Sequence, residues 1–246
     1  MTRAVQIILL AAMLGVLLRL LVRGEYVYYV KPSLLPALIA SAVVLALMIV
    51  FVAKDAWTAA DEEHDHAGHD HGPGGGHDHG PGGGHAHAEP RAALLLALPL
   101  IVVLTVAPAP LGAFSATRGS GGTAPVSGSF APLPAGDPVE LAVPDFVDRA
   151  RSDGGSTLIG REVRLVGFVT PNPDGPWWLT RFVVSCCAAD ATAYRVLTRD
   201  GPPLTADTWV SLTGRWVEAA GAPDGIPTLQ VVEHELAQPP SNPYAG

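Results

Sequence analysis

Two groups of residues in this 246-residue chain have the types and spacing to do chemistry. The first is a histidine run. Eight of the nine histidines (His64, His66, His69, His71, His77, His79, His85 and His87) fall in one stretch, where HDHGPGGG occurs twice in tandem, beginning at His69 and His77. Neutral imidazole ligates Zn²⁺ and other divalent transition ions, and Asp65, Asp70 and Asp78 add oxygen donors. The intervening glycines impose no fixed geometry, so the run predicts labile binding of several ions rather than one built site. A solvated low-complexity linker that merely tolerates histidines is the competing reading.

The second group is the stretch RFVVSCCAADA, Arg181 to Ala191, which holds the only two cysteines, Cys186 and Cys187. Successive side chains of a strand point to opposite faces, so two adjacent thiols reach one ligand only where the strand ends or bulges. The AADA that follows predicts such an end. There Cys186 and Cys187, with Asp190 or with His234 from a later strand, would supply three or four donors of the soft and borderline kind that Zn²⁺ or Cu⁺ prefers. Three other readings stay open: small buried hydrophobes, a strained vicinal disulfide, or a nucleophile. The nucleophile lacks a third partner, and the chain is expected not to be an enzyme. Arg181 lies in an otherwise apolar strand, where a charge is normally paired. Asp190 is a candidate partner, and an exposed strand face is the alternative.

These residues need elements to position them, and three apolar runs come first. Residues 4–22 carry only Gln6 and Arg19 as polar members, 34–53 carry no charge, and 92–112 are interrupted by Pro99, Pro108 and Pro110. At about 1.5 Å rise per residue, such runs are near the length that crosses a hydrocarbon core of about 30 Å. Tyr26, Tyr28 and Tyr29 before the second run suit a headgroup belt. About three transmembrane helices are therefore expected. A re-entrant segment is the alternative for the third, and a cleaved signal peptide for the first, disfavoured because a second run follows at once. Three spans would put the two ends of the chain on opposite sides. The flanking basic residues scarcely choose between sides: Arg3, Lys54 and Arg91 oppose Arg19, Arg23, Lys31 and Arg118.

Residues 1–117 thus read as a membrane region with the histidine-rich loop at 61–90, and 118–138 as a flexible Gly/Pro/Ser linker. Residues 139–246 read as a soluble β-barrel domain. VPDFVDRARSD predicts one short helix ended by Gly154. Five stretches follow with strand character: Arg161–Val169, Trp177–Cys186, Ala193–Thr198, Thr208–Val217 and Thr228–Leu236, separated by turn sequences. Gly167 and Gly214 mark bend points, and the whole fits an OB-like five-stranded barrel, with a compact sandwich as the alternative. Trp177, Trp178, Trp209 and Trp216 are expected to pack in or around it.

Composition agrees with a membrane protein. Hydrophobic residues make up 48% and charged residues 15% of the chain, and mean hydropathy is +0.30. A formal charge of −8 and a pI near 5.5 leave no basic footprint, which excludes nucleic acid as an expected partner.

With GFVTPN, TRFVVSCCAADA, RGSGG after the third run and the terminal PYAG laid out in this order, the chain resembles the YcgQ-like family of predicted permease subunits over nearly its whole length. The resemblance implies a multi-pass protein of the plasma membrane paired with a larger permease subunit, and a non-catalytic role linked to divalent, zinc-like metal. By position it marks Arg181, Cys186, Cys187, Ala188, Ala189 and Asp190. The alternatives are a membrane-anchored thiol redox or metallochaperone protein that uses Cys186 and Cys187, and a partner-binding β module whose cysteines only pack. No cofactor is certain; Zn²⁺ or another divalent transition metal is the candidate.

Overall fold

A computed structural model describes residues 3–65, 102, 109–119, 130–152, 154–173, 175–218 and 225–245. The third apolar run lies almost wholly outside the described residues, as do His66, His69, His71, His77, His79, His85 and His87 of the histidine run. The chain divides into two compact units, one of residues 1–25 and 33–108, the other of residues 26–32 and 109–246.

In the first unit, α1 (Arg3–Arg23) and α2 (Leu35–Asp65) are the two long helices. Leu is the commonest residue of α1 and Ala of α2, and both lose little side-chain entropy in a helix. Stretches of 19 residues (Val5–Arg23) and 24 residues (Pro32–Asp55), with mean hydropathies of 2.5 and 2.8, are long and apolar enough to cross a bilayer. Almost none of their apolar side chains is fully buried, and Ile8, Val22, Leu47 and Phe51 are exposed, whereas the core helix of a soluble protein buries such residues. Helix α2 continues through DEEHD, so the backbone of His64 belongs to its last turn.

In the second unit, α3 (Ala113–Arg118), β1 (Val139–Glu140) and α4 (Val143–Ser152) precede β2 (Glu162–Thr170), β3 (Trp178–Val183), β4 (Thr192–Arg199), β5 (Trp209–Val217), β6 (Thr228–Leu236) and β7 (Tyr244–Ala245). Strand β2 pairs antiparallel with β3 and β5, β5 with β6, and β3 with β4; β4 and β6 run parallel. The circuit β2-β5-β6-β4-β3 returns to β2 and closes five strands into a barrel, the Greek-key closure expected of the OB kind. Two glycines make the closure possible. A Cβ on Gly167 would lie 2.7 Å from the carbonyl oxygen of Thr180, where β2 crosses β3, and Gly214 sits at the register shift of β5 against β6, its missing Cβ occupied by the Gln230 carbonyl.

The barrel interior is filled by Leu165, Leu179, Val196, Val210, Leu212 and Leu229, all fully buried, and Phe146 and Val147 of α4 close one end. Asp145 in the first turn of α4 and Arg149 and Arg151 in its last turn match the helix dipole. The residues before β1 are packed as well: Leu133 is buried, Arg149 bonds to the Ala131 carbonyl, and Arg161 bonds to those of Pro134 and Gly136. The described part of the expected linker, from Phe130 onward, is thus bound to the barrel by arginine–carbonyl contacts that composition alone does not announce.

A second, outer cluster forms where α3 covers the barrel wall, with Ala113 and Ala116 against Phe168, Phe182, Ala193 and Tyr244. Asp207 Oδ1 accepts from Ala113 N at 2.6 Å at the amino end of α3, and Arg195 donates to the Ala116 and Gly119 carbonyls at its other end. The tryptophans pack as expected: Trp177 and Trp216 against the inner core, Trp209 against the outer cluster, and Trp178 beneath Arg195.

Candidate metal site at the cysteine turn

Strand β3 stops at Val183 rather than at Cys186 as its sequence predicts, and the reason is Asp190. Its Oδ1 accepts from Ser185 N at 2.8 Å, and its Oδ2 from Cys186 N at 2.8 Å and Cys187 N at 3.3 Å. Three successive N–H groups turned toward one carboxylate cannot also serve a strand ladder. Residues 188–190 then make one 3₁₀ turn before β4. Arg181 has no share in Asp190. Its guanidinium lies 5.0 Å from the centre of the Trp209 ring, and the carboxylate is occupied by the backbone. The expected Arg181–Asp190 pair is therefore replaced by a cation–π contact and a carboxylate-closed turn.

The other side of the turn is held by the connection between α1 and α2. Val30 and Cys187 form an antiparallel bridge, Lys31 N donates to the Cys186 carbonyl at 2.9 Å, and Ala188 N donates to the Tyr29 carbonyl at 2.7 Å. Tyr244 secures the same segment: its Oη donates to the Tyr28 carbonyl at 2.9 Å and accepts from Leu111 N at 3.2 Å. The tyrosines read as a headgroup belt thus contribute backbone to the barrel unit. Pairings across so many residues leave no local pattern in the sequence.

Both cysteines are free; Cys186 is exposed and Cys187 half-buried. Cys186 is too exposed to be a buried packing residue. Their sulfurs are 3.5 Å apart, well beyond a disulfide bond of about 2.05 Å. Two thiolates about 2.3 Å from one tetrahedral ion stand about 3.8 Å apart, close to the separation present. The sulfurs and an Asp190 oxygen lie within 4.8 Å of one another. A carboxylate has about four lone-pair directions, and three are spent on backbone N–H groups. One is left, for the Cys186 thiol or for an ion that replaces its proton. His234 is not in this group. It lies on β6 opposite Leu212 of β5, beside Arg164 and Thr213.

The electrostatics match a cation site that holds protons. The Asp190 carboxylate and then the neighbouring Cys187 push the Cys186 thiol up to about 12. The Cys186 thiol bond and the backbone donors lower Asp190 to about 2. An ion arriving here would displace a proton from negative surroundings, which suits Zn²⁺ or Cu⁺ and disfavours a resting thiolate nucleophile.

Two family models match the chain in order: the DUF1980 N-terminal domain over residues 5–119 and the DUF1980 C-terminal domain over residues 154–245. No curated protein and no solved structure matches it. With an apolar helical part and a closed barrel falling under those two models in turn, the chain belongs to the DUF1980 family.

Proposed function

We propose that this chain is a non-catalytic subunit of a plasma-membrane permease of the YcgQ-like kind, working beside a larger permease subunit in the transport or homeostasis of a zinc-like divalent metal. The observation that carries the reading is the cysteine turn: two free thiols 3.5 Å apart with a carboxylate in reach, on an exposed loop. Two sulfurs and one oxygen leave a coordination position open, the form of a site that exchanges its ion rather than burying it. The histidine run supplies a second class of donors by sequence. The expected apolar spans carry no acidic or histidine residue at their middle where an ion path would need one, so the path is assigned to the partner.

The same reading takes the protein to cross the membrane three times. Residues 26–32 belong to the barrel unit. If α1 and α2 both span, their connection and the barrel share one side of the bilayer, which requires an odd number of crossings between Asp65 and Ala109. The run 92–112 is the stretch with the composition for it. A thiol-redox role is the second reading; the Asp190 carboxylate holds the proton on Cys186, which makes that thiol the poorer nucleophile.

Elemental analysis of the full chain purified in detergent tests the proposal, comparing wild type with the Cys186→Ser, Cys187→Ser double variant. The variant should lose about one equivalent of zinc while the content bound by the histidine run persists. Equal metal content in the two proteins, or no larger permease recovered with the chain from native membranes, overturns the reading.

A further inference from the structure

Strands β2 and β3 are in register only over Phe168–Thr170 and Trp178–Thr180. Beyond that they part: β1 adds in parallel to β2 at Val163 and Arg164, and β7 adds in parallel to β3 at Phe182 and Val183. A cleft of about 430 Å³ occupies the split. Arg164 lines it from β2, Arg181 from β3 and Glu140 from β1, with apolar walls that include Leu141, Val166 and Pro240.

Both arginines stand out. Arg149, Arg161, Arg195 and Arg215 each bond to a carbonyl or a carboxylate. Neither the Arg164 nor the Arg181 side chain has a hydrogen bond or ion pair among the described residues, and Glu140, in the same cleft, pairs with neither. Arg181 is half-buried, and burial alone lowers its pKa. A guanidinium withdrawn from water without an anion is costly, and native structures provide the anion. The Trp209 ring 5.0 Å beneath it holds the group in place, as a fork prepared for a planar acceptor.

We propose that the β2/β3 split binds a small organic monocarboxylate, its carboxylate on Arg181 and Arg164 and its aliphatic body against the apolar walls. The charge balance selects the class. Among the residues that line the cleft, two guanidinium groups and the Glu140 carboxylate leave a single positive charge for a monoanion, and Glu140, with Glu233 and Glu235 on the far side of Arg164, repels a dianion such as phosphate. The volume falls in the range of small-molecule sites, about 300–1,000 Å³. The inference stands apart from the metal reading, since no residue of the cysteine turn lines the cleft.

Calorimetry on the full chain in detergent tests it with isovalerate and its neutral isostere isovaleramide. Isovalerate should bind saturably in the millimolar range and at least tenfold more tightly than the amide. Arg181→Gln should weaken it at least tenfold, while Arg181→Lys, which keeps the charge, loses less. The Cys186→Ser, Cys187→Ser variant should bind isovalerate as wild type does, which separates this site from the metal site. Should Arg181→Gln fail to fold, Arg164→Gln and the acid–amide comparison on wild type carry the test. The proposal is overturned by equal binding of acid and amide, by absence of saturable heat, by undiminished binding in a folded Arg181→Gln protein, or by inorganic phosphate competing as strongly as isovalerate.

Discussion

Replacing Asp190 by Asn removes the charge that holds the Cys186 proton and leaves a side chain of the same shape. The thiol now stands at about 12 against an ordinary 9.0, with Asp190 the first cause. Relief of the whole displacement, three pH units, would raise the thiolate fraction at neutral pH about 10³-fold, an upper bound because the Cys187 and burial contributions stay. The less basic thiolate is also the weaker nucleophile: a Brønsted coefficient of about 0.4–0.5 takes back a factor of about 15–30. The net expectation is alkylation of Cys186 by iodoacetamide faster in the variant at pH 7, by up to about 30–60 times. Peptide mass spectrometry on the full chain reads the rate for each cysteine separately. The pH profile adds a second mark: wild-type rates should climb without a plateau to pH 10, and the variant should level off near pH 9. A variant rate within threefold of wild type, or below it, refutes the assignment of the raised thiol to Asp190.

Acid should open the same turn: Asp190, lowered from 3.8 to about 2, contributes stability that is present above pH 4 and lost as pH falls through 2, read as faster amide exchange at Ser185 and Cys186. The raised Cys186 contributes in the opposite sense, present below pH 9 and lost as pH rises toward 12, so amide protection at the turn should be flat between these limits. Tyr244→Phe leaves the Tyr28 carbonyl and Leu111 N–H without their partner, a loss of about 1–3 kcal/mol, and should speed exchange across residues 26–32 while the β5–β6 ladder keeps its protection. Gly214→Ala drives a methyl group into the Gln230 carbonyl and should cost the barrel about 1–3 kcal/mol, measured by thermal melting in detergent.

The barrel was readable because its strands obey local rules. Alternation in REVRLVGFV and TWVSLTGRWV places Leu165, Val210 and Leu212 inside, and the observed β2, β4, β5 and β6 end within one residue of their expected limits. The helix α4 was readable for the same reason, from Phe146 and Val147 on one face. Strands β1 and β7 were not, since two residues have no period; their pairing is set by neighbours already in the sheet. The short helix α3 was hidden in the tail of an apolar run, and what fixes it, Asp207 and Arg195, lies 94 and 76 residues away. At the site, sequence located the turn and its three donors, but two assignments depended on side-chain direction. Arg181 packs on Trp209 because Asp190 is consumed by the backbone, and His234 lies across the barrel wall on β6, where nothing brings it to the thiols.

The two constraints on the cysteine turn determine what kind of ion site it can be. Asp190 grips the N–H groups of Cys186 and Cys187 from within, and the α1–α2 connection grips the Cys186 carbonyl and pairs with Cys187 from without. With both backbones fixed, the remaining freedom is rotation of two short side chains, so bringing the sulfurs from 3.5 Å to the roughly 3.8 Å of a tetrahedral edge requires little reorganisation. Preorganisation of this kind favours rapid uptake. The exposure of Cys186 and the single free direction on Asp190 limit the ligands the chain itself can add. Were an ion held there by two sulfurs and one oxygen, it would stay open to capture by a donor from another protein. Because the outer grip is made by the segment that joins α1 to α2, an ion that tightens this turn also tightens the backbone of Tyr29 to Lys31. The connection between the two apolar helices is thus the part of the chain whose order should respond first to metal.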